Sequence, residues 1–117
     1  MHEMSVAASI LRIAEDELKK HDLRKLSLVR VRYGALSNVT GESLRFCFEA
    51  MLVDTPHAGA RLELEEIPVV LRCGGCGRTF SPDDCDALFP PCPDCGENFG
   101  HHVERGRELY VQHIEAE

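Results

Sequence analysis

Four of the six cysteines repeat one short pattern, Cys73-Gly74-Gly75-Cys76-Gly77 and Cys92-Pro93-Asp94-Cys95-Gly96, with 15 residues between Cys76 and Cys92. Two residues between paired cysteines let both sulfurs reach one ion about 2.3 Å away, and two such pairs at this separation complete the four-thiolate shell of a zinc ribbon. The glycine after each pair, Gly77 and Gly96, permits a tight turn that directs backbone amides at the thiolates. Rubredoxin-like iron and a dithiol redox pair are the competing uses of this spacing. A closed shell of four sulfurs leaves no open position for substrate. The Zn(II) expected at Cys73, Cys76, Cys92 and Cys95 is therefore structural, holding a module of about 30 residues that lacks a core of its own.

The amino terminus, Met1-His2-Glu3, offers a second place for metal chemistry. The terminal amine, the His2 amide nitrogen and His2 Nδ1 can close fused five- and six-membered chelate rings, which suit the square-planar preference of Ni(II) or Cu(II). Glu3 can add its amide or its carboxylate. A merely solvated terminal histidine is the commoner case, and the residue types alone do not displace it. Cys85, between the knuckles, reads as a loop thiol or a spare ligand for metal exchange, and Cys47 as a small core residue. His101 and His102 read as exposed loop imidazoles or as groups whose protonation alters zinc coordination or module orientation. His21, His57 and His113 take no functional assignment.

The elements that must position these groups are legible in the apolar periodicity. Met4, Ala7, Ala8, Leu11, Ala14 and Leu18 fall on one face of a first helix, with Lys19 and Lys20 at its negative end. Leu26 to Tyr33 alternates as a half-buried strand with Val29, Val31 and Tyr33 on one side. Thr40 is the expected N-cap of a second helix, with Leu44, Phe48, Met51 and Leu52 on its apolar face. Arg61 to Ile67 is a second strand and Glu108 to Ile114 a last one, with the cysteine module inserted between them. The expected fold class is α+β: two helices on a small three-stranded sheet, with an inserted four-cysteine zinc ribbon. Residues 1–68 and 104–117 would form the first domain and residues 69–103 the ribbon.

Composition narrows the function. At 117 residues the chain can bury one core and carry one stapled module. Its formal charge of −7 and the lack of any basic run exclude nucleic acid as a partner and disfavour an anionic membrane surface. No export signal and no long apolar run is present, so a soluble, cytoplasmic chain with reduced thiols is expected. Nothing resembles a nucleophile with its base or a phosphate-cradling glycine loop, which argues against an enzyme.

Order and spacing together resemble the HypA/HybF family of nickel metallochaperones, which help mature nickel-iron hydrogenases. The resemblance rests on Met1-His2-Glu3-Met4-Ser5, Gly34-Ala35-Leu36-Ser37, the run from Ser43 to Glu49, both cysteine pairs, and Gly106-Arg107-Glu108-Leu109. It implies His2 as the essential nickel ligand, with Met1 and Glu3 assisting, and structural zinc on the four cysteines. It also implies a HypB-type maturation GTPase and the hydrogenase large subunit as partners, urease accessory proteins in some organisms, and compatibility with a homodimer. The rival reading is a zinc-ribbon module for protein interaction or for transcription or translation, without nickel transfer.

Overall fold

The computed structural model describes residues 2–82 and 90–117, with His2 described in its backbone alone. The element order is α1 (His2–Lys20), β1 (Leu26–Gly34), α2 (Gly41–Leu52), β2 (Arg61–Ile67), β3 (Val70–Arg72), β4 (Thr79–Phe80), β5 (His102–Arg105) and β6 (Leu109–Ala116). The chain divides into two compact units. One comprises Met1–Arg32, Val39–Glu65 and Tyr110–Glu117, the other Tyr33–Asn38 and Glu66–Leu109.

In the first unit, α1 buries Ala7, Ile10, Ala14 and Leu18, residues three or four apart and hence on one face. That face is rotated from the expected one: Met4 and Ala8 are exposed and Ile10 takes the core position. Apolar residues lie on both sides of this helix, so periodicity alone leaves the rotation loose, whereas the two fully buried alanines allow close packing on α2. The helix ends in a Schellman turn. Asp22 adopts φ 56°, Leu23 N donates to Leu18 O at 2.8 Å, and Asp22 N donates to Lys19 O at 3.4 Å. An aspartate tolerates this left-handed conformation better than most residues.

Thr40 stands at the N-cap of α2 in an extended conformation, but its side chain makes no capping hydrogen bond. Only its carbonyl engages, accepting from Leu44 N at 2.9 Å. The helix buries Leu44, Cys47, Phe48 and Leu52 against Leu26, Val29 and Val31 of β1, Leu62 of β2, and the α1 face. Strand order is β2-β1-β6. The ion pairs Arg30–Glu63 (2.9 Å) and Arg32–Glu65 (3.4 Å) advance together along β1 and β2, so these strands run parallel and α2 is their crossover. Lys25 and Glu117 exchange backbone bonds at one end of the other pair, and Gly34 donates to Glu108 at its far end, so β6 runs antiparallel to β1. His57, in the loop after α2, is buried but satisfied. Its Nδ1 accepts from Leu26 N at 3.1 Å, which leaves the proton on Nε2, 3.8 Å from the Glu15 carboxylate.

In the second unit, β3 pairs antiparallel with β4 (Leu71 opposite Phe80) and with β5 (Leu71 opposite Val103). Residues 33–38 are tied to this unit by Ala35 N to Ile67 O at 3.0 Å and Leu36 N to Gly106 O at 2.6 Å. Glu108 fixes the adjoining turn by accepting from Gly106 N at 2.6 Å. That amide, followed by its own and that of Arg107, holds the Glu108 carboxyl below the usual carboxylate range. A Cβ at Gly34 would overlap the carbonyl carbon and oxygen of Gly106, which are backbone atoms that cannot swing aside. Gly34→Ala is therefore expected to cost about 3 kcal/mol and to lower Tm by about 10 °C or more, measured by thermal unfolding of the zinc-loaded protein.

Candidate functional site

The two cysteine pairs close on each other within the second unit. Cys73 follows β3 directly, and the β3–β4 hairpin is the first knuckle. The knuckles share one geometry. Cys73 N donates to Arg78 O at 2.8 Å and Gly77 N to Cys73 O at 3.1 Å; Cys92 N donates to Glu97 O at 2.9 Å and Gly96 N to Cys92 O at 2.9 Å. Gly77 and Gly96 have φ of 78° and 77°, the left-handed turn for which glycine is suited. Their four sulfurs lie within 4.8 Å of one another, with Cys73–Cys95 at 3.4 Å and Cys76–Cys92 at 3.7 Å. A tetrahedral zinc with bonds of about 2.3 Å requires sulfur–sulfur edges of about 3.8 Å, so donor set and spacing both fit that ion.

Backbone dipoles prepare the shell. Amides of Gly75 and Cys76 approach Cys73 Sγ at 3.3 and 3.4 Å. The Cys76 amide, aided by that of Gly75, pulls the Cys73 thiol down to about 6 against the effect of burial. Cys95 receives the Glu97 amide, but the Cys73 sulfur, burial and the remaining sulfurs outweigh it and push its thiol up to about 12. Cys76 receives the Arg78 amide and is nevertheless raised by burial and by the Cys73 and Cys92 sulfurs. Cys73 thus gives up its proton easily, whereas zinc must displace tightly held protons from Cys76 and Cys95 to complete its shell.

Two residues other than the cysteines hold the knuckles together. His101 Nδ1 accepts from Gly74 N at 3.2 Å, which places the proton on Nε2 for donation to Glu97 O at 2.9 Å and Pro90 O at 3.1 Å. One imidazole thereby ties the first knuckle to the second, braced edge-on by Phe80 at 5.1 Å. It is not a free loop residue. His102 is exposed, on β5. Gly74 is the other: a Cβ there would overlap the Gly100 carbonyl, so the first position inside this knuckle cannot carry a side chain without a backbone shift. Neither role has a local sequence signal, because both partners come from the far side of the module.

Among the expected metal residues, Cys85 and Met1 lie outside the described residues, as does the His2 side chain. Glu3 is half-buried in the first turn of α1. Because α1 starts at His2, the first backbone amides have no intrahelical acceptor and remain available to other chemistry. Cys47 is buried in the α2 face, as expected of a core residue. Met4, Glu42, Ser43, Phe46 and Cys47 line a cavity of about 520 Å³ between the two helices.

The family described as hydrogenase/urease nickel incorporation, metallochaperone, HypA matches residues 1–116. A hydrogenase maturation factor HypA of Solidesulfovibrio magneticus is 51% identical over 117 residues, covering all of both chains. The corresponding protein of Lawsonia intracellularis is 43% identical over 118 residues, again with full coverage of both. A HypA solution structure superposes with a TM-score of 0.69 at 26% identity, covering 99% of this chain and 96% of that one. The solution structure of the nickel metallochaperone HypA from Helicobacter pylori, at 24% identity and a TM-score of 0.64 over 97% of this chain and 96% of that one, shares the fold. Matched by the family from its first residue to its last but one, and by full-length relatives far above chance identity, the chain belongs to the HypA family of hydrogenase maturation factors.

Proposed function

We propose that the protein binds Ni(II) at its amino terminus, through the Met1 amine, the His2 amide and imidazole and assistance from Glu3, and delivers it during nickel-iron hydrogenase maturation. The carrying observation is that the family match begins at residue 1, so the tripeptide able to form the chelate lies inside the matched span. The start of α1 at His2 supports the reading, because deprotonating an amide that has no helical acceptor breaks no hydrogen bond. Nickel is cargo here: nitrogen donors in a square plane select it over zinc, and a small site releases it by ligand exchange to a deeper one. Zn(II) on Cys73, Cys76, Cys92 and Cys95 is the resident metal and holds the second unit together.

The action is delivery without turnover. Hydrolysis of GTP falls to a HypB-type partner, and the hydrogenase large subunit receives the metal in the cytoplasm; urease accessory proteins are a further class of partner. Calorimetric titration of tag-free protein tests the reading. His2→Ala should lose stoichiometric nickel binding while keeping one zinc per chain by elemental analysis, and nickel binding equal to the parent would sink it.

A further inference from the structure

The register of β3 and β5 carries a histidine to the cysteine shell. Arg72 lies opposite His102 in this antiparallel pair, so the next step along both strands sets His101 against Cys73. There its ring joins the two knuckles in one run of bonds. Gly74 N, the amide after Cys73, donates to Nδ1 at 3.2 Å, and Nε2 donates to Glu97 O at 2.9 Å and to Pro90 O at 3.1 Å. That Glu97 carbonyl also accepts from Cys92 N at 2.9 Å. The backbone at Cys73 is thus tied to the backbone at Cys92 through one imidazole, which Phe80 braces edge-on at 5.1 Å. The four sulfurs divide along the same line. Cys73 and Cys92 are each 3% exposed, whereas Cys76 and Cys95 are open to solvent. The imidazole therefore joins the two buried ligands and leaves each exposed one to its own knuckle.

We propose that His101 is a positioning residue for the zinc shell: it fixes the buried Cys73 and Cys92 relative to each other, so that the shell opens first at the exposed sulfurs of Cys76 and Cys95. A competing ligand reaches those two sulfurs from solvent without moving the backbone. Parting Cys73 from Cys92 instead requires that the bond to Gly74 N or the bonds to Glu97 O and Pro90 O break. A shell opened at one exposed sulfur keeps its other three ligands and recloses as an intramolecular step. Groups that orient metal ligands without touching the metal commonly account for about 10- to 100-fold of a site's affinity. The inference rests on zinc at the four cysteines and is independent of how nickel is held.

The test is the rate at which zinc-loaded, full-length protein gives up its metal to excess chromogenic chelator. His101→Phe keeps a ring beside Phe80 but neither bond, and should transfer zinc about 10- to 100-fold faster than the parent. His101→Asn retains only an acceptor near Gly74 N, and His101→Gln only a donor near Glu97 O. Each should exchange nearly as fast as His101→Phe, because neither spans the knuckles, and the two carry the same comparison where His101→Phe does not load zinc. Cobalt-loaded protein should show one four-thiolate absorption spectrum throughout, which separates loss of the strap from loss of a ligand. With N-ethylmaleimide present during transfer, peptide mapping should find Cys76 and Cys95 alkylated ahead of Cys73 and Cys92 in the parent, and that order lost in the variants. Transfer at the parent rate by the variants, full rescue by either amide, a changed cobalt spectrum, or no order of alkylation in the parent would overturn the proposal. A parent without one zinc per chain would remove the shell itself, and the proposal with it.

Discussion

Acetylation of the Met1 amine is expected to abolish stoichiometric nickel binding while fold, Tm and zinc content stay at their parent values. The acetyl group leaves every side chain in place and, unlike an added residue, brings no new amine that could close a chelate with the His2 imidazole. It converts the terminal amine, a good donor, into a secondary amide and breaks the five-membered ring that the amine closes with the His2 amide. Loss of an outer-shell partner alone commonly costs a metal site 10- to 100-fold, so loss of a direct donor together with its ring should weaken nickel by about 100-fold or more. Acetylation separates two arrangements that His2→Ala does not, because a site built from His2 and other side chains survives acetylation and fails only on removal of the imidazole. Nickel calorimetry on the acetylated protein and on His2→Ala, with zinc measured in each, reads the difference. Unchanged affinity in the acetylated protein would remove the amine from the ligand set.

Cys92→Ser is the second large effect, and it should be confined to one unit. Cys92 is 3% exposed, its amide is committed to Glu97 O, and its sulfur lies 3.7 Å from that of Cys76. A serine oxygen is a poor replacement for thiolate at zinc. Structural zinc contributes about 10–16 kcal/mol of apparent binding energy in small zinc-finger peptides, and the three short strands β3, β4 and β5 bury few large apolar residues to replace it. The expected result is near-complete zinc loss to a mild chelator and collapse of amide dispersion for residues 66–82 and 90–109. The helical signal should persist, because α1 and α2 belong to the other unit. Acid should reproduce the zinc loss in the parent: Cys76 and Cys95 hold their protons more tightly than ordinary thiols, so proton competition grows as pH falls. Retention of one zinc and of the full spectrum in Cys92→Ser would show that three thiolates suffice.

The sequence specified most where a residue type had few alternatives. The knuckle glycines are an example: their positive φ follows from the turn that two nearby sulfurs require, and that turn is local. The α2 face is another, since Leu44, Phe48 and Leu52 recur four residues apart and all three are buried, although Phe46 stands exposed on another side of the helix. On α1 the stripe was ambiguous, and packing against α2 decided in favour of Ile10 over Met4 and Ala8. The strands β3, β4 and β5 were not foreseen, being two to four residues long and held by the cysteine framework rather than by an alternating pattern. His57 and His101 were illegible for a related reason. Each is defined by bonds to groups distant in the chain, Leu26 N for one and Gly74 N for the other, and spacing carries no information about such partners.

The position of β6 in the chain has a consequence for biosynthesis. Its partner β1 ends at Gly34, yet β6 begins only at Leu109, after the whole cysteine module. At about 5–20 residues per second, the roughly 75 residues between them take about 4–15 s to translate. Throughout that interval α1, β1, α2 and β2 can assemble, since the parallel β1–β2 pair needs only α2 between them, while one flank of β1 waits without its neighbour. A nascent chain in this state presents the unpaired backbone edge of β1 to other nascent chains on the same message. Because Tyr110–Glu117 belong to the helical unit, the wait ends when translation ends, so slower translation of the cysteine module should raise aggregation of the helical half in the cell.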